Sequence, residues 1–262
     1  MEPTEETKPA ARPVVYYSGL APFRETFQRG LPILTYHKLG PRPRGVRLKG
    51  LYLSARLFAR QLAELREAGF QSGSLENWNA QAGRRIILTF DDGHTNVLEE
   101  GVEPLAQNRF RAIQFLPAEL LGKTNQWDVA QGEVPEPIMD AAQVREWIAS
   151  GHEIGSHTLT HPFLTRLTPD RAREEISASR KKLEDLFGRP VEHFCYPYGD
   201  WNPAVRDLVG ESGYKTACTT DTGINQATDS PYSLKRFTAR YPTRNLKSFW
   251  GWLSSRRREK KK

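Results

Sequence analysis

The chain has 262 residues, 38% hydrophobic and 26% charged, with a net charge of +7. That balance excludes a fibrous or wholly disordered protein, the length suffices for one α/β domain with a full core, and no apolar run approaches the roughly 20 residues needed to cross a bilayer. Two cysteines, Cys195 and Cys218, exclude a disulfide framework and read as buried reduced thiols.

Residues 1–30 read as a loosely held N-terminal arm, rich in proline like the stretch that follows it. Its first dozen residues are acidic and lack the basic-then-apolar order of a secretory signal, so a cytoplasmic location is the default expectation. From residue 32 the chain alternates. Leu34-Thr35-Tyr36 is a short strand. Ser54 caps a helix through Phe58, Leu62, Leu65 and Phe70. Ile86-Ile87-Leu88-Thr89-Phe90 is a strand buried on both faces, and helical sequence follows over 97–108. Ile113 to Leu116 is a strand; Asp140 caps a helix through Val144, Trp147 and Ile148, closed by Gly151; Glu153-Ile154-Gly155 is a strand stub. Thr168-Pro169 opens a helix that stops at Gly188, and Asn202-Pro203 opens another. His193 to Tyr196, Tyr214 to Cys218 and Ser233 to Phe237 are the remaining strands. Strands alternating with helices predict an α/β fold with a parallel sheet, and both an open sheet and a closed barrel fit. The expected organisation is an arm over 1–30, a catalytic domain over 31–245 and a basic C-terminal tail over 246–262. The tail, from Arg256 to Lys262, reads as a solvated end; a weak contact with phosphate, an anionic glycan or a membrane surface is its second reading. No aromatic residues interleave with its charges, so no nucleic-acid partner is expected.

Three clusters carry chemistry. Asp91 and Asp92 end the apolar run at Ile86–Phe90, and Gly93 allows a sharp turn after them. Carboxylates at the end of a core strand are costly unless paired, hydrogen-bonded or bound to a metal. Two neighbours there point different ways, so one can bind a cation while the other acts as a base; a plain surface turn is the competing reading. His157 and His161 lie four apart, on one face of a helix or converging from a tight turn, with surface or capping histidines as the alternative. One Asp and two His make a three-ligand set that leaves coordination positions open, as catalytic sites do. Tyr196-Pro197-Tyr198-Gly199-Asp200 again ends a strand; it is a rigid turn or a groove wall, with Pro197 and Tyr198 toward a substrate.

These residues resemble the polysaccharide deacetylases, carbohydrate esterase family four, over roughly residues 32–240. Thr89-Phe90-Asp91-Asp92-Gly93 matches the first motif of that family and His157 to His161 the second; the third, Arg-x-Pro-Tyr, is met by Cys195-Tyr196-Pro197-Tyr198 with its arginine missing. The resemblance implies a distorted (β/α) barrel with fewer than eight full repeats, often placed outside the cytoplasm, and a carbohydrate substrate of the N-acetylglucosamine type. It implies Asp91 as general base, Asp92, His157 and His161 as metal ligands, and Tyr198 as the residue whose backbone amide holds the oxyanion. Two departures matter. Arg236 is the candidate for the missing arginine brace. No histidine follows His193, so the family's late histidine is absent and His37 is the candidate acid, which is similar to the branch acting on exported poly-N-acetylglucosamine. One divalent ion is expected, zinc first, with cobalt, nickel or iron suiting the same ligands. The competing readings are a metal-dependent hydrolase of a small N-acyl or cyclic amide compound and an inactive carbohydrate-binding protein on the same fold. Oligomeric state is not encoded in any of these motifs.

Overall fold

The run Ile86–Phe90 is apolar on both faces, so both must be covered. The computed structural model, which describes residues 16–80 and 83–241, covers one face with helices and the other with the inward side chains of the strands themselves. The strands are β1 (Ile33–Tyr36), β2 (Lys38–Leu39), β3 (Tyr52–Leu53), β4 (Gln71–Ser72), β5 (Arg85–Phe90), β6 (Ala112–Leu116), β7 (Glu153–Ser156), β8 (His193–Cys195), β9 (Thr216–Cys218) and β10 (Phe237–Thr238). The helices are α1 (Ala55–Glu67), α2 (Thr95–Gln107), α3 (Gln126–Val129), α4 (Ala141–Ala149), α5 (Pro169–Phe187) and α6 (Pro203–Glu211).

The main sheet is parallel throughout, in the order β10-β1-β5-β6-β7-β8-β9, with β4 beside the start of β5. A bridge between Cys218 and Leu234, on the approach to β10, draws the two ends of the order together. The fold is therefore a curled partial (β/α) barrel rather than an open sheet. Period-two alternation sorts its side chains. Leu34, Tyr36, Ile86, Leu88 and Phe90 pack outward among helix residues such as Phe58, Leu62 and Trp147. Ile33, Ile87, Ile113, Phe115, Cys195, Cys218 and Leu234 fill the interior. Continuing inward from Ile87, the next positions of the same face are Thr89 and Asp91, so polarity enters the interior at the C-terminal end of β5.

The helix starts follow the sequence signals. Ser54 accepts from Leu57 N–H at 3.2 Å, Asp140 and Gln143 form a reciprocal capping box, and Asn202 accepts from Val205 N–H at 2.9 Å ahead of Pro203. α1 ends at Glu67, short of the expected Phe70, because Gly69 turns the chain left-handed at φ +83°. The strand expected over 233–237 is confined to Phe237–Thr238. The arm differs from expectation in its second half. Residues 1–15 lie outside the described residues, but Tyr17 bridges to Ala239, and Tyr17, Phe23 and Phe27 pack with Phe237 as a buried aromatic cluster. Rings of that size bury too much apolar surface to stay loose. The basic tail, 246–262, lies outside the described residues. Both cysteines are buried and free, as expected. Among the described residues no helix is long and apolar enough to cross a membrane.

Candidate metal centre

Backbone geometry gathers the site before any side chain does. Five non-glycine residues in the described chain have positive φ, and four of them, Asp92 (73°), Thr158 (68°), His161 (63°) and Tyr198 (59°), fall in the three clusters singled out above. Left-handed non-glycine residues are strained and persist where the surroundings over-determine them, which is common at functional sites. All three clusters end parallel strands at the same rim of the barrel.

Asp91 continues β5, its N–H donating to Tyr36 carbonyl, and its carboxylate turns into the barrel interior. Arg236, wholly buried, meets it with a two-pronged contact: Nη1 donates to Oδ1 and Nη2 to Oδ2, each at 2.8 Å. The other donors of the guanidinium reach Thr219 carbonyl (2.8 Å), Thr89 Oγ1 (3.1 Å) and Cys195 Sγ (3.1 Å), so all five N–H groups have acceptors. Burial alone would push the Asp91 carboxyl up; the charge and hydrogen bonds of Arg236, with help from His37, hold it below the usual carboxylate range. His37 follows β1 and its Nε2 stands 3.9 Å from Asp91 Oδ2, with the side chain 18% exposed. Burial lowers its affinity for a proton, against the opposing pull of Asp92 and Asp91.

Asp92 leaves the strand in the left-handed turn shared with Gly93, where any Cβ would meet Leu116 at 3.0 Å. The turn aims Asp92 at the second cluster. His157 and His161 sit in a loop after β7, not on a helix. Glu175 of α5 fixes that loop, its Oε2 accepting from the N–H groups of Leu159 and Thr160, each at 2.9 Å, and its Oε1 from the Thr160 hydroxyl at 2.7 Å. Nε2 of His157 and of His161 lie 3.5 and 3.3 Å from Asp92 Oδ1. His157 Nδ1 is bonded to Cys195 carbonyl at 2.7 Å, an acceptor, so Nδ1 carries a proton and Nε2 is the ring atom turned to Asp92. Burial pushes the His161 imidazole down to about 4, so it stays neutral with a lone pair to give. Burial also disfavours charge on His157, but Cys195 and the Asp92 carboxylate outweigh it and raise its proton affinity well above the usual imidazole range, so an ion would take the place of its Nε2 proton.

These donors fit a metal ion. Bonds of about 2.0–2.1 Å to N and O in a tetrahedral site place neighbouring ligand atoms about 3.3–3.4 Å apart. The two edges from Asp92 Oδ1, 3.5 and 3.3 Å, lie close to that spacing, and the three donor atoms lie within 4.8 Å of one another. Asp91, His157 and Cys195 form a second close group but a poorer holder. Burial pushes the Cys195 thiol up to about 11, and the Arg236 charge already paired with Asp91 disfavours a second cation there.

The third cluster forms one wall. Pro197 is buried, and the Tyr198 ring stacks on Phe163 at 3.9 Å and meets His161 edge-on at 4.5 Å. Trp127 of α3 stacks on the other side of His161 at 4.2 Å. Every residue singled out in the sequence thus falls at one rim: Asp91, Asp92, His157, His161, Tyr198 and Pro197, with His37 and Arg236 beside Asp91. Sequence reasoning missed His94 and Glu175. His94 directly follows Asp-Asp-Gly and is wholly buried beside Asp92; Glu175 carries no signal in a helix rich in charge.

The polysaccharide deacetylase family model matches residues 79–217. A chitooligosaccharide deacetylase of Azorhizobium caulinodans is 36% identical over 132 residues, half of this chain and 55% of its own length. The solved structure of a polysaccharide deacetylase from Bacillus cereus superposes with a TM-score of 0.70 at 25% identity, covering 85% of this chain and 68% of that one. A Streptococcus pyogenes deacetylase in complex with acetate shares the fold, at TM-score 0.70 and 22% identity, over 85% of this chain and 97% of its own.

Proposed function

The chain belongs to the polysaccharide deacetylase family, and from that premise we propose that it hydrolyses the N-acetyl groups of an N-acetylglucosamine-type oligomer or polymer with Asp91 as base and an ion held by Asp92, His157 and His161. The observation that carries this reading is the pairing of an open three-donor set with a separate carboxylate clamped ionised by Arg236. It is supported by the Azorhizobium relative, whose name gives a chitooligosaccharide as its substrate. Zinc suits the Asp-His-His set first, and cobalt, nickel or iron would be accepted.

When bound, the ion supplies Lewis acidity toward a carbonyl oxygen and lowers the pKa of an adjacent water. Asp91 takes the proton of the attacking water. Its oxygens each accept one bond from Arg236 and keep lone pairs for this task. The fork also holds Asp91 in one orientation, so no reorganisation is needed as it picks up the proton. His37, across the site from the same carboxylate, gives its proton to the departing nitrogen, and the products are acetate and the free amino sugar. A neutral amine leaves only once protonated, so this step is as necessary as the attack. The left-handed turn at Tyr198 directs its backbone N–H to the oxyanion, while the Tyr198 and Trp127 rings each offer a face to a pyranose.

The reading is tested by measuring acetate released from N-acetylglucosamine oligomers of increasing length beside a panel of small N-acyl and cyclic amides. Release that rises with oligomer length supports it. Turnover of the small amides alone would replace it with the small-amide hydrolase, and binding of oligomers without release would replace it with a carbohydrate-binding role.

A further inference from the structure

We infer that His94 is a positioning residue of the metal centre, donating to Asp92 Oδ2 so that Oδ1 is the oxygen presented to the ion. The inference rests on the reading that Asp92, His157 and His161 hold a metal. The two oxygens of Asp92 are already divided: Oδ1 faces His157 and His161, and Oδ2 faces His94 Nε2 at 3.5 Å.

Three features set His94 apart from a residue that only fills space. It occupies the N-cap position of α2, where Ser, Thr, Asn or Asp would satisfy a helix N–H, yet its side chain makes no cap bond and turns to Asp92 instead. It is wholly buried, and neither ring nitrogen makes a hydrogen bond of ordinary length. A polar group left so costs about 1–3 kcal/mol, which a leucine at the same place would avoid. Its backbone is pinned by an antiparallel bridge to Ile138 and by Thr95 N–H donating to Pro137 carbonyl at 3.0 Å, so the ring is held where it stands.

The chemistry assigns the direction. A carboxylate only accepts, so Nε2 must carry the proton that faces Oδ2. The backbone of Asp92 is committed by its left-handed φ of 73° and by Gly93, which leaves side-chain rotation as its remaining freedom. A donor on Oδ2 removes that freedom. Outer-shell partners of this kind are typically worth about 10–100-fold in metal affinity.

The test compares wild type, His94→Leu and His94→Gln by competitive zinc titration and by the visible spectrum of the cobalt-loaded proteins. Leucine removes the donor at similar volume; glutamine can place an amide N–H near the position of Nε2. The expected result is zinc binding weakened about 10–100-fold in His94→Leu, with an altered cobalt spectrum, and restored to within about threefold of wild type in His94→Gln. Wild-type affinity in a folded His94→Leu would overturn the inference, and so would equal losses in both variants. If the leucine variant fails to fold, the glutamine variant decides: affinity within about threefold supports the role and a loss beyond about tenfold refutes it. A wild-type protein that binds no ion would overturn the metal reading itself, a result distinct from any of these.

Discussion

Replacing Arg236 by methionine deletes five hydrogen bonds and the only charge paired with Asp91 through two parallel bonds, while leaving a side chain of similar reach in the barrel. Asp91 is then a buried carboxylate left with only the long contacts of Thr35 (3.4 Å), Cys195 (3.6 Å) and His37 (3.9 Å). Breaking one side of a buried pair costs about 3–5 kcal/mol. For a domain of this size that is a fall in Tm of about 6–20 °C. The pH dependence reverses sign as well. In wild type the carboxyl is held below its ordinary value, so its contribution is complete above the unfolded pKa of about 3.9 and is lost as pH falls through the native value. In the variant burial, the largest influence, is opposed only by the weaker pull of His37 and His157 and raises the carboxyl, so the native state holds the proton longer than the unfolded chain and the deficit widens as pH rises above about 4. Arg236→Lys should fall in the same direction, because three donors on a flexible stem cannot reproduce the fork. Thermal unfolding at pH 5 and 8, together with acetate release, measures all of this. The double variant Asp91→Asn/Arg236→Met should regain at least half of the lost stability and none of the activity. An Arg236→Met protein with wild-type Tm and turnover within about threefold of wild type would refute the clamp.

His37→Ala should lower turnover about 10²–10⁴-fold while zinc affinity stays within about threefold, read by kinetics beside a metal titration; equal losses in both would move His37 from acid to structural support. Gly199→Ala should destabilise by more than about 1 kcal/mol and displace the Tyr198 turn, because Gly199 has φ +68° and an added Cβ would overlap the Thr220 side chain; a variant melting with wild type would show that the turn can relax. At the opposite end of the barrel, burial pushes His152 and His193 each down to about 4. Their native pKa values lie below the unfolded value of about 6.5, so stability is complete above that pH and falls as pH drops from 6.5 toward 4, by at most about 3 kcal/mol for each. Chemical denaturation between pH 7 and 4.5 should show this slope, shallower in His152→Leu; an unchanged slope would mean that His152 does not titrate with unfolding.

Most of the strand and helix order was legible because period and capping signals agree: Ser54, Asp140, Thr168-Pro169 and Asn202-Pro203 each begin a helix where the sequence marks one. Periodicity alone did not choose barrel over open sheet, since it fixes which face a side chain takes and not how far a sheet curls; the motifs, through their resemblance, pointed to the partial barrel that is found. The carboxylates and histidines were legible through their spacing. That Arg236 reaches Asp91 was readable only as a candidacy, because the two are 145 positions apart and meet through barrel closure. His94 and Glu175 escaped for a different reason: each acts on a ligand or its loop from outside the motif, and nothing in local sequence marks a side chain whose importance is its neighbour. The arm was misjudged in its second half because proline content outweighed Tyr17, Phe23 and Phe27, whose rings find Phe237 only in the folded chain.

The most direct measurement is metal content and acetate release on the same preparations of wild type, Asp91→Asn and His157→Ala. The division of labour between adjacent carboxylates predicts about one ion in wild type and in Asp91→Asn, none retained in His157→Ala, and turnover in wild type alone. Full metal in His157→Ala, or undiminished acetate release by Asp91→Asn, would contradict it.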